Sequence, residues 1–264
     1  MPTGAAPMAE PLLAGRVLLV SGGTQGVGGG IARAALQEGA TVVVTGRRPD
    51  VGEAFVEDLG GDVSYVRCDV ADVDQARAAV AETIRRHGRI DSLVNAAGLT
   101  SRGTLLDTTP ELFDQHVATN LKGPFFLMQA AVADMVGRGE AGTIVNVLTM
   151  SSHGGQPHLA AYSSTKAGLA GLTRNAAHAH RWDRIRINGV NIGWTETEGE
   201  DVVQREFHDA DDTWREKAGA SLPMGRLGQV DDMAALVVLL LSDRSGVVTG
   251  SVIDWDQQVL GGLD

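Results

Sequence analysis

The chain is predicted to be an α/β protein, a doubly wound parallel sheet with helices on both faces. Three observations lead there. Short apolar runs alternate with helix-periodic segments along nearly the whole 264 residues, the pattern of strand–helix units. The apolar runs are continuous rather than alternating, as expected of strands buried on both faces. No Pro/Gly/Ser-rich linker or internal repeat divides the chain, so residues 13–264 read as one domain behind a loose Pro/Ala-rich tail at 1–12.

Taken in order, the predicted strands are 17–20, 41–44, 64–67, 92–94, 143–147, 185–190 and 252–254. Helical patterns fall at 28–38, 74–87, 110–138, 159–181 and 231–241. The third of these starts well: Thr109 is a good N-cap and Pro110 suits the first helical turn. A sheet of this kind binds its ligands beyond the carboxyl ends of the strands, where the strand order reverses.

Composition narrows the function. Hydrophobic residues make up 43% of the chain with charges well mixed, which is globular rather than disordered. A formal charge of −11 argues against nonspecific binding to nucleic acid or an anionic membrane. The single cysteine, Cys68, cannot form an internal disulfide, and the start of the chain lacks a basic segment and a hydrophobic core. A cytoplasmic setting is therefore expected, and no apolar run has the length of a membrane span.

Two motifs carry chemistry. Ser21-Gly22-Gly23-Thr24-Gln25-Gly26-Val27-Gly28 follows the first strand and opens the first helix. Gly22 permits the tight turn, Gly26 lets backbone approach a phosphate, and Gly28 allows close packing, so the helix N-terminus faces a pyrophosphate. Tyr162 and Lys166 stand four apart in a helical segment of a chain with only two tyrosines and three lysines. Residues at that spacing share a helix face, and an ammonium beside a phenol is expected to lower the phenol pKa toward working pH. Such a phenol can give and take a proton.

Together with Asn95-Ala96-Ala97-Gly98 after the fourth strand and with Asn120, these motifs resemble the short-chain dehydrogenases/reductases of the single-domain type. The resemblance runs from about Gly15 to Asp256. It implies a seven-stranded parallel Rossmann sheet, a homotetramer or dimer, and hydride transfer between a nicotinamide dinucleotide and a small-molecule alcohol or ketone. Gly22, Gly26 and Gly28 match the family's glycine loop, with Ser21 in place of Thr and with Thr24, Gln25 and Val27 as further cofactor contacts. Asp69 and Val70 match the pair that contacts adenine. Asn95, Ala96 and Gly98 match the family's NNAG, with Ala96 replacing the second Asn. Tyr162 and Lys166 are implied to meet the cofactor as well.

The catalytic set carried over is Asn120, Thr149, Tyr162 and Lys166. The family's serine position holds Thr149, which keeps the hydroxyl and adds a methyl; Ser151 is the substitute. The second strand ends Gly46-Arg47-Arg48, with no acid for ribose hydroxyls and two guanidinium groups suited to a 2′-phosphate. NADP(H) is thus expected over NAD(H), although Gln25 stands where some NADP-preferring relatives carry a basic residue. Thr195 and Thr197 follow a turn in which Ile192 replaces the family's proline, and they are candidate cofactor contacts.

Residues 196–216 hold nine acids and are expected to form a mobile flap over the substrate pocket. Ser151, Gln156 and His158 would line the substrate side and Trp194 could stack on a ring, favouring a sugar, cyclitol or other polyol. No spacing suggests a metal site. A dinucleotide-binding sensor without turnover is the reading from another class; the complete Asn120/Tyr162/Lys166 set argues against it.

Overall fold

Seven parallel strands and their crossover helices organise the chain; the computed structural model describes residues 10–261. The first half runs β1 (Val17–Ser21), α1 (Gly26–Gln37), β2 (Thr41–Gly46), α2 (Pro49–Leu59), β3 (Val63–Arg67), α3 (Val73–His87) and β4 (Ser92–Asn95). Next come α4 (Pro110–Val117), a π-helical turn at Ala118–Lys122, α5 (Gly123–Arg138), β5 (Gly142–Thr149) and α6 (Ala160–Ala179). The remainder is β6 (Ile185–Ile192), β7 (Thr195–Glu196), α7 (Glu198–His208), α8 (Trp214–Ala220), β8 (Gly228–Gln229), α9 (Val230–Leu241) and β9 (Val252–Trp255).

The main sheet has the order β3-β2-β1-β4-β5-β6-β9, all parallel, so the winding reverses between β1 and β4. The registers Ser21↔Thr45, Ser21↔Asn95 and Asn95↔Asn146 bring the carboxyl ends of the central strands to one level. Loops leaving those ends must therefore share one edge of the sheet, as expected of a doubly wound fold. The seven strands predicted from apolar runs are the seven strands of this sheet.

Alternate residues of each strand feed opposite cores, as the two-residue repeat requires. Leu18, Val20, Val42, Val44, Val145 and Val190 pack beneath α1 and α9 with Ile31, Met233 and Val237. Leu19, Val43, Leu93, Ile144 and Ile187 face the other way, onto Val80, Leu127, Met135 and Leu169 of α3, α5 and α6. Burial on both faces explains why the strands read as unbroken apolar runs.

Differences from the sequence reading lie at the surface. The predicted helix 110–138 is α4 and α5 joined through the π turn, with the Thr109 hydroxyl accepting from Leu112 N–H at 3.2 Å. The short helix α2 is an addition to the predicted helices; only one of its residues, Gly52, is buried, because a side chain there would meet the Tyr65 ring. The acidic segment folds as α7 and α8. Of the expected tail, residues 1–9 lie outside the described residues, whereas Leu12 N–H donates to Glu38 at 2.7 Å.

A polar seam crosses the second core. Asn95 Nδ2 donates to Asn146 Oδ1 at 2.8 Å, and Asn146 Nδ2 donates to Thr173 Oγ1 at 2.8 Å, linking β4, β5 and α6. All three residues are buried. Replacing Asn146 with Ala strands two buried partners, and urea denaturation should show a loss of about 3 kcal/mol.

Candidate active site

The glycine loop forms a cradle beside the point where the winding reverses. Gly22 has φ +70°, and a Cβ there would lie 2.6 Å from Ala97 Cα, so only glycine lets the loops after β1 and β4 touch. A Cβ on Gly28 would come within 2.2 Å of Gly22 O, which seats the first turn of α1 against the loop. Gly26 opens α1, and a Cβ placed on it would meet nothing within 4 Å, leaving backbone free for a phosphate at a helix N-terminus. A dinucleotide pyrophosphate fits this cradle. Thr24 and Gln25 lie in the turn, and Val27 packs partly on the core.

At the adenine end, Gly46 closes β2 and a side chain there would strike Thr24 Oγ1 at 2.9 Å. Arg47 and Arg48 are exposed just beyond it, and Arg48 donates to Gln25 Oε1 at 2.5 Å. Gln25 is thus a hydrogen-bond partner of Arg48. The Asp69 carboxylate accepts from Ala71 N–H at 3.1 Å and braces its own turn, while Val70 is buried against α5.

The loop after β4 divides the roles of its residues. The Asn95 side chain, expected at the cofactor, is buried at the seam between β4 and β5, where its Nδ2 donates to Asn146 and its Oδ1 has no partner. Ala96 is half-buried and Gly98 is exposed. A Cβ on Gly98 would lie 3.8 Å from both Asn120 Oδ1 and Lys166 Nζ, so those two polar groups converge beneath it.

Asn120 sits in the π turn, fully buried. Its Oδ1 accepts from Leu99 N–H at 2.8 Å and its Nδ2 donates to Leu99 O at 2.9 Å, clamping the loop through one backbone residue. The same Nδ2 is 3.1 Å from His116 Nδ1, whose other ring nitrogen lies 3.0 Å from Ser101 O. Burial holds the His116 pKa down, so the neutral ring accepts at Nδ1 and donates at Nε2. Sequence reasoning missed His116, although it stands four residues before Asn120 on the same helical run. Local widening of a helix into a π turn is often found at functional sites.

Tyr162 lies in the first turn of α6 and Lys166 one turn later, with Nζ 6.0 Å from the phenol ring centroid. Lys166 Nζ donates to Val147 O at 2.8 Å and is buried. Burial pulls the ammonium pKa down to about 8. The phenol is pushed up to about 12, chiefly by burial; a hydrogen bond with Thr149 pulls it down and the charge of Glu200 raises it further. The expected lowering of the phenol pKa by Lys166 is therefore corrected. Desolvation outweighs the neighbouring cation, whose nitrogen is engaged with a backbone carbonyl rather than with the phenol.

The two candidate hydroxyls are bonded to each other. Thr149 ends β5, its Oγ1 accepts from Ser151 N–H at 3.2 Å, and its hydroxyl donates to Ser151 Oγ at 3.2 Å. The Ser151 hydroxyl donates in turn to Gln156 Oε1. His158 is exposed, with its backbone carbonyl accepting from Gly103 N–H at 2.9 Å. Trp194, expected to stack on a substrate ring, stacks on Trp214 with centroids 6.4 Å apart and planes at 24°, and its Nε1 donates to Glu200 at 2.7 Å. One face of its ring is covered by Trp214, and the residue remains exposed.

The Thr195 hydroxyl donates to Gly193 O at 3.0 Å, and Thr197 caps α7 by accepting from Glu200 N–H at 3.0 Å. Four of the nine flap acids form ion pairs within it. Arg215 holds Glu196 at 2.8 Å and Asp201 at 3.0 Å, Arg205 holds Asp201 and Asp212 at 2.9 Å, and Lys217 holds Asp211 at 2.7 Å. These pairs brace a helical lid that keeps a net negative charge.

The family model described as Enoyl-(Acyl carrier protein) reductase matches residues 22–257. The chain belongs to the short-chain dehydrogenase/reductase family. It is 35% identical over 247 residues to an L-rhamnose 1-dehydrogenase (NAD(P)(+)) of Azotobacter vinelandii, covering 91% of this chain and 94% of that protein. It is 34% identical over 254 residues to a 3-oxoacyl-(acyl-carrier-protein) reductase of Thermotoga maritima, covering 95% and 98%. Among solved structures, an actinorhodin polyketide ketoreductase with NADPH superposes with a TM-score of 0.87 at 30% identity, covering 92% of this chain and 96% of that one. As a member of this family the protein is an NAD(P)-dependent oxidoreductase acting on CH–OH and C=O groups. No helix among its described residues is long and apolar enough to cross a membrane.

Lys166 gives this member of the family a measurable stability signature. Its pKa of about 8 in the fold lies below the ordinary 10.5, so the unfolded chain holds more protons between those values. The penalty for a buried ammonium is therefore complete below pH 8 and is relieved as pH rises toward 10.5. Lys166→Met should raise Tm by a few degrees at pH 7, and the gap to wild type should narrow between pH 8 and 10.5 in parallel melts.

Proposed function

We propose that the protein is an NADP(H)-preferring oxidoreductase for a polar hydroxylated secondary alcohol and its ketone, such as a sugar, cyclitol or other polyol. The observation that carries the reading is Tyr162 one helical turn before the buried Lys166, whose Nζ lies 6.0 Å from the phenol ring centroid and converges with Asn120 beneath Gly98, next to the glycine cradle. When bound, the nicotinamide supplies or accepts the hydride at the substrate carbon.

In this reading the protein handles the oxygen and its proton. Tyr162 Oη gives a proton to the carbonyl oxygen during reduction and takes it from the alcohol during oxidation. Thr149 Oγ1 turns from Ser151 toward the same oxygen and donates a hydrogen bond to it. Ser151 positions the Thr149 hydroxyl and the Gln156 side chain. Lys166, oriented by its bond to Val147 O, would hold the cofactor ribose with its remaining N–H donors. Asn120 holds the loop backbone at Leu99 so that the cleft keeps its shape.

Support for NADP(H) comes from the end of β2. The Thr24 side chain fills the space that an acid at position 46 would need, and two exposed guanidinium groups follow. Support for a polyol comes from the polar lining around Ser151 and Gln156, and from the sugar-oxidising relative. Residues 13–264 act as one catalytic unit in this reading, and a homotetramer or dimer is its expected form in solution.

Two experiments test these assignments. Tyr162→Phe should lower kcat by about 10³-fold with dinucleotide affinity retained, and Thr149→Ala should cost about 10²-fold, well beyond Ser151→Ala. Substantial turnover by the phenylalanine variant would reject the proton-transfer role. In titrations followed by cofactor fluorescence, NADPH should bind more tightly than NADH. The Arg47→Ala/Arg48→Ala double variant should weaken NADPH by about 10- to 100-fold and leave NADH nearly unchanged, the worth of charge-assisted bonds to one phosphate. A wild-type preference for NADH would overturn the cofactor assignment.

A further inference from the structure

His116 is fully buried in the last turn of α4, four residues before Asn120, and has no part in the proton transfer proposed above. Its hydrogen-bond roles follow from the backbone around it. Leu99 N–H can only donate, so the Asn120 atom 2.8 Å away is the amide oxygen. Leu99 O can only accept, so the atom 2.9 Å away is the amide nitrogen. One hydrogen of that nitrogen serves Leu99 O, and the other is shared between His116 Nδ1 at 3.1 Å and Thr165 Oγ1 at 3.3 Å. His116 Nδ1 must therefore accept. The ring proton is left on Nε2, 3.0 Å from Ser101 O. A second ring proton is disfavoured by burial and would face the amide N–H groups.

These bonds make His116 the middle pin of the loop between β4 and α4. Leu99 is held by Asn120 and Ser101 by His116. Gly103 is held by the chain entering α6, where Gly103 N–H donates to His158 O at 2.9 Å and Ala160 N–H to Gly103 O at 3.1 Å. Arg102, between the last two pins, lies 4.6 Å over the Phe207 ring of the flap helix α7. Loop and flap thus meet at a residue whose two neighbours are both tied down.

The ring also meets the phenol. His116 and Tyr162 are edge-on, with centroids 6.4 Å apart and planes at 63°. Thr165, the other acceptor for the shared amide hydrogen, itself donates to Tyr162 O at 2.9 Å. Loss of the imidazole would leave that hydrogen to Thr165 alone and remove the lateral support of the phenol.

We propose that His116 is a positioning residue for the reaction: its imidazole ties the Asn120 amide to Ser101 and braces the Tyr162 ring from the side, so that loop and phenol hold one arrangement around the substrate oxygen. This rests on the assignment of proton transfer to Tyr162. His116 exchanges no proton itself and acts on turnover through Tyr162 and the loop at 99–103. An aliphatic side chain in its place would supply neither bond.

The test follows the full chain with NADP+ and trans-1,2-cyclohexanediol, and with NADPH and 2-hydroxycyclohexanone. His116→Leu removes both ring nitrogens. It should lower kcat about tenfold, the scale of one buried hydrogen bond, with KM and NADPH affinity changed by less than about twofold. His116→Asn sets an amide oxygen near the place of Nδ1 and should recover most of that loss. In an Asn120→Ala background His116→Leu should cost little more, because the two residues act as a unit. Proton–nitrogen correlation spectra of the histidine rings add a readout independent of turnover. The His116 signal, identified by its absence from His116→Leu, should show a single Nε2–H tautomer that is lost in Asn120→Ala. Wild-type kcat in His116→Leu overturns the proposal and leaves the reaction class standing. So do equal losses in the leucine and asparagine variants that follow a lowered Tm, or an Nδ1–H tautomer in wild type. No wild-type turnover of this pair, or of any other alcohol and ketone with either dinucleotide, overturns the proton-transfer reading and this proposal with it.

Discussion

The loops that leave β1 and β4 touch backbone to backbone, and much of the site depends on that contact. A Cβ on Gly22 would lie 2.6 Å from Ala97 Cα, and one on Gly28 would lie 2.2 Å from Gly22 O. These distances seat the start of α1 against the loop that carries Gly98 and Leu99. The pyrophosphate cradle and the Asn120 clamp are consequently built on two sides of one contact. The constraint is steric, so its effect is all-or-none: any side chain at Gly22 or Gly28 must displace main chain.

Around that contact the protein keeps polar groups dry. Asn120, His116, Thr165 and Lys166 are all buried with hydrogen-bond partners. The clearest cost is electrostatic, with the Lys166 ammonium drawn down to about 8 and the Tyr162 phenol pushed up to about 12. Both shifts oppose the charged forms, as desolvation must. The same dryness strengthens any hydrogen bond made to a reacting oxygen there, so the conditions that weaken the fold favour the chemistry.

The flap follows another logic. Ion pairs tie four of its acids to Arg205, Arg215 and Lys217 on α7 and α8, and the Trp194–Trp214 stack gives the pair of helices a small core with Ala218 and Leu227. The lid is structured yet still acidic. Glu200 accepts from the Trp194 N–H, a donor that no local sequence pattern places beside it.

The sequence by itself determined the sheet, the glycine cradle and the Tyr162/Lys166 spacing, because each depends on contacts within a few residues or on a continuous apolar run. Strands 17–20 and 143–147 announce themselves through double-sided burial, and residues four apart on α6 share a face whatever surrounds them. The tertiary structure alone decided the electrostatics and the partners. Lys166 bonds to Val147 O across nineteen residues of chain, Asn95 is engaged by Asn146, and Trp194 by Trp214. The Thr149 hydroxyl donates to Ser151 and the Ser151 hydroxyl to Gln156, a chain that residue spacing does not reveal. Desolvation and hydrogen-bond competition depend on every atom within a few ångströms, and those neighbours come from distant parts of the chain.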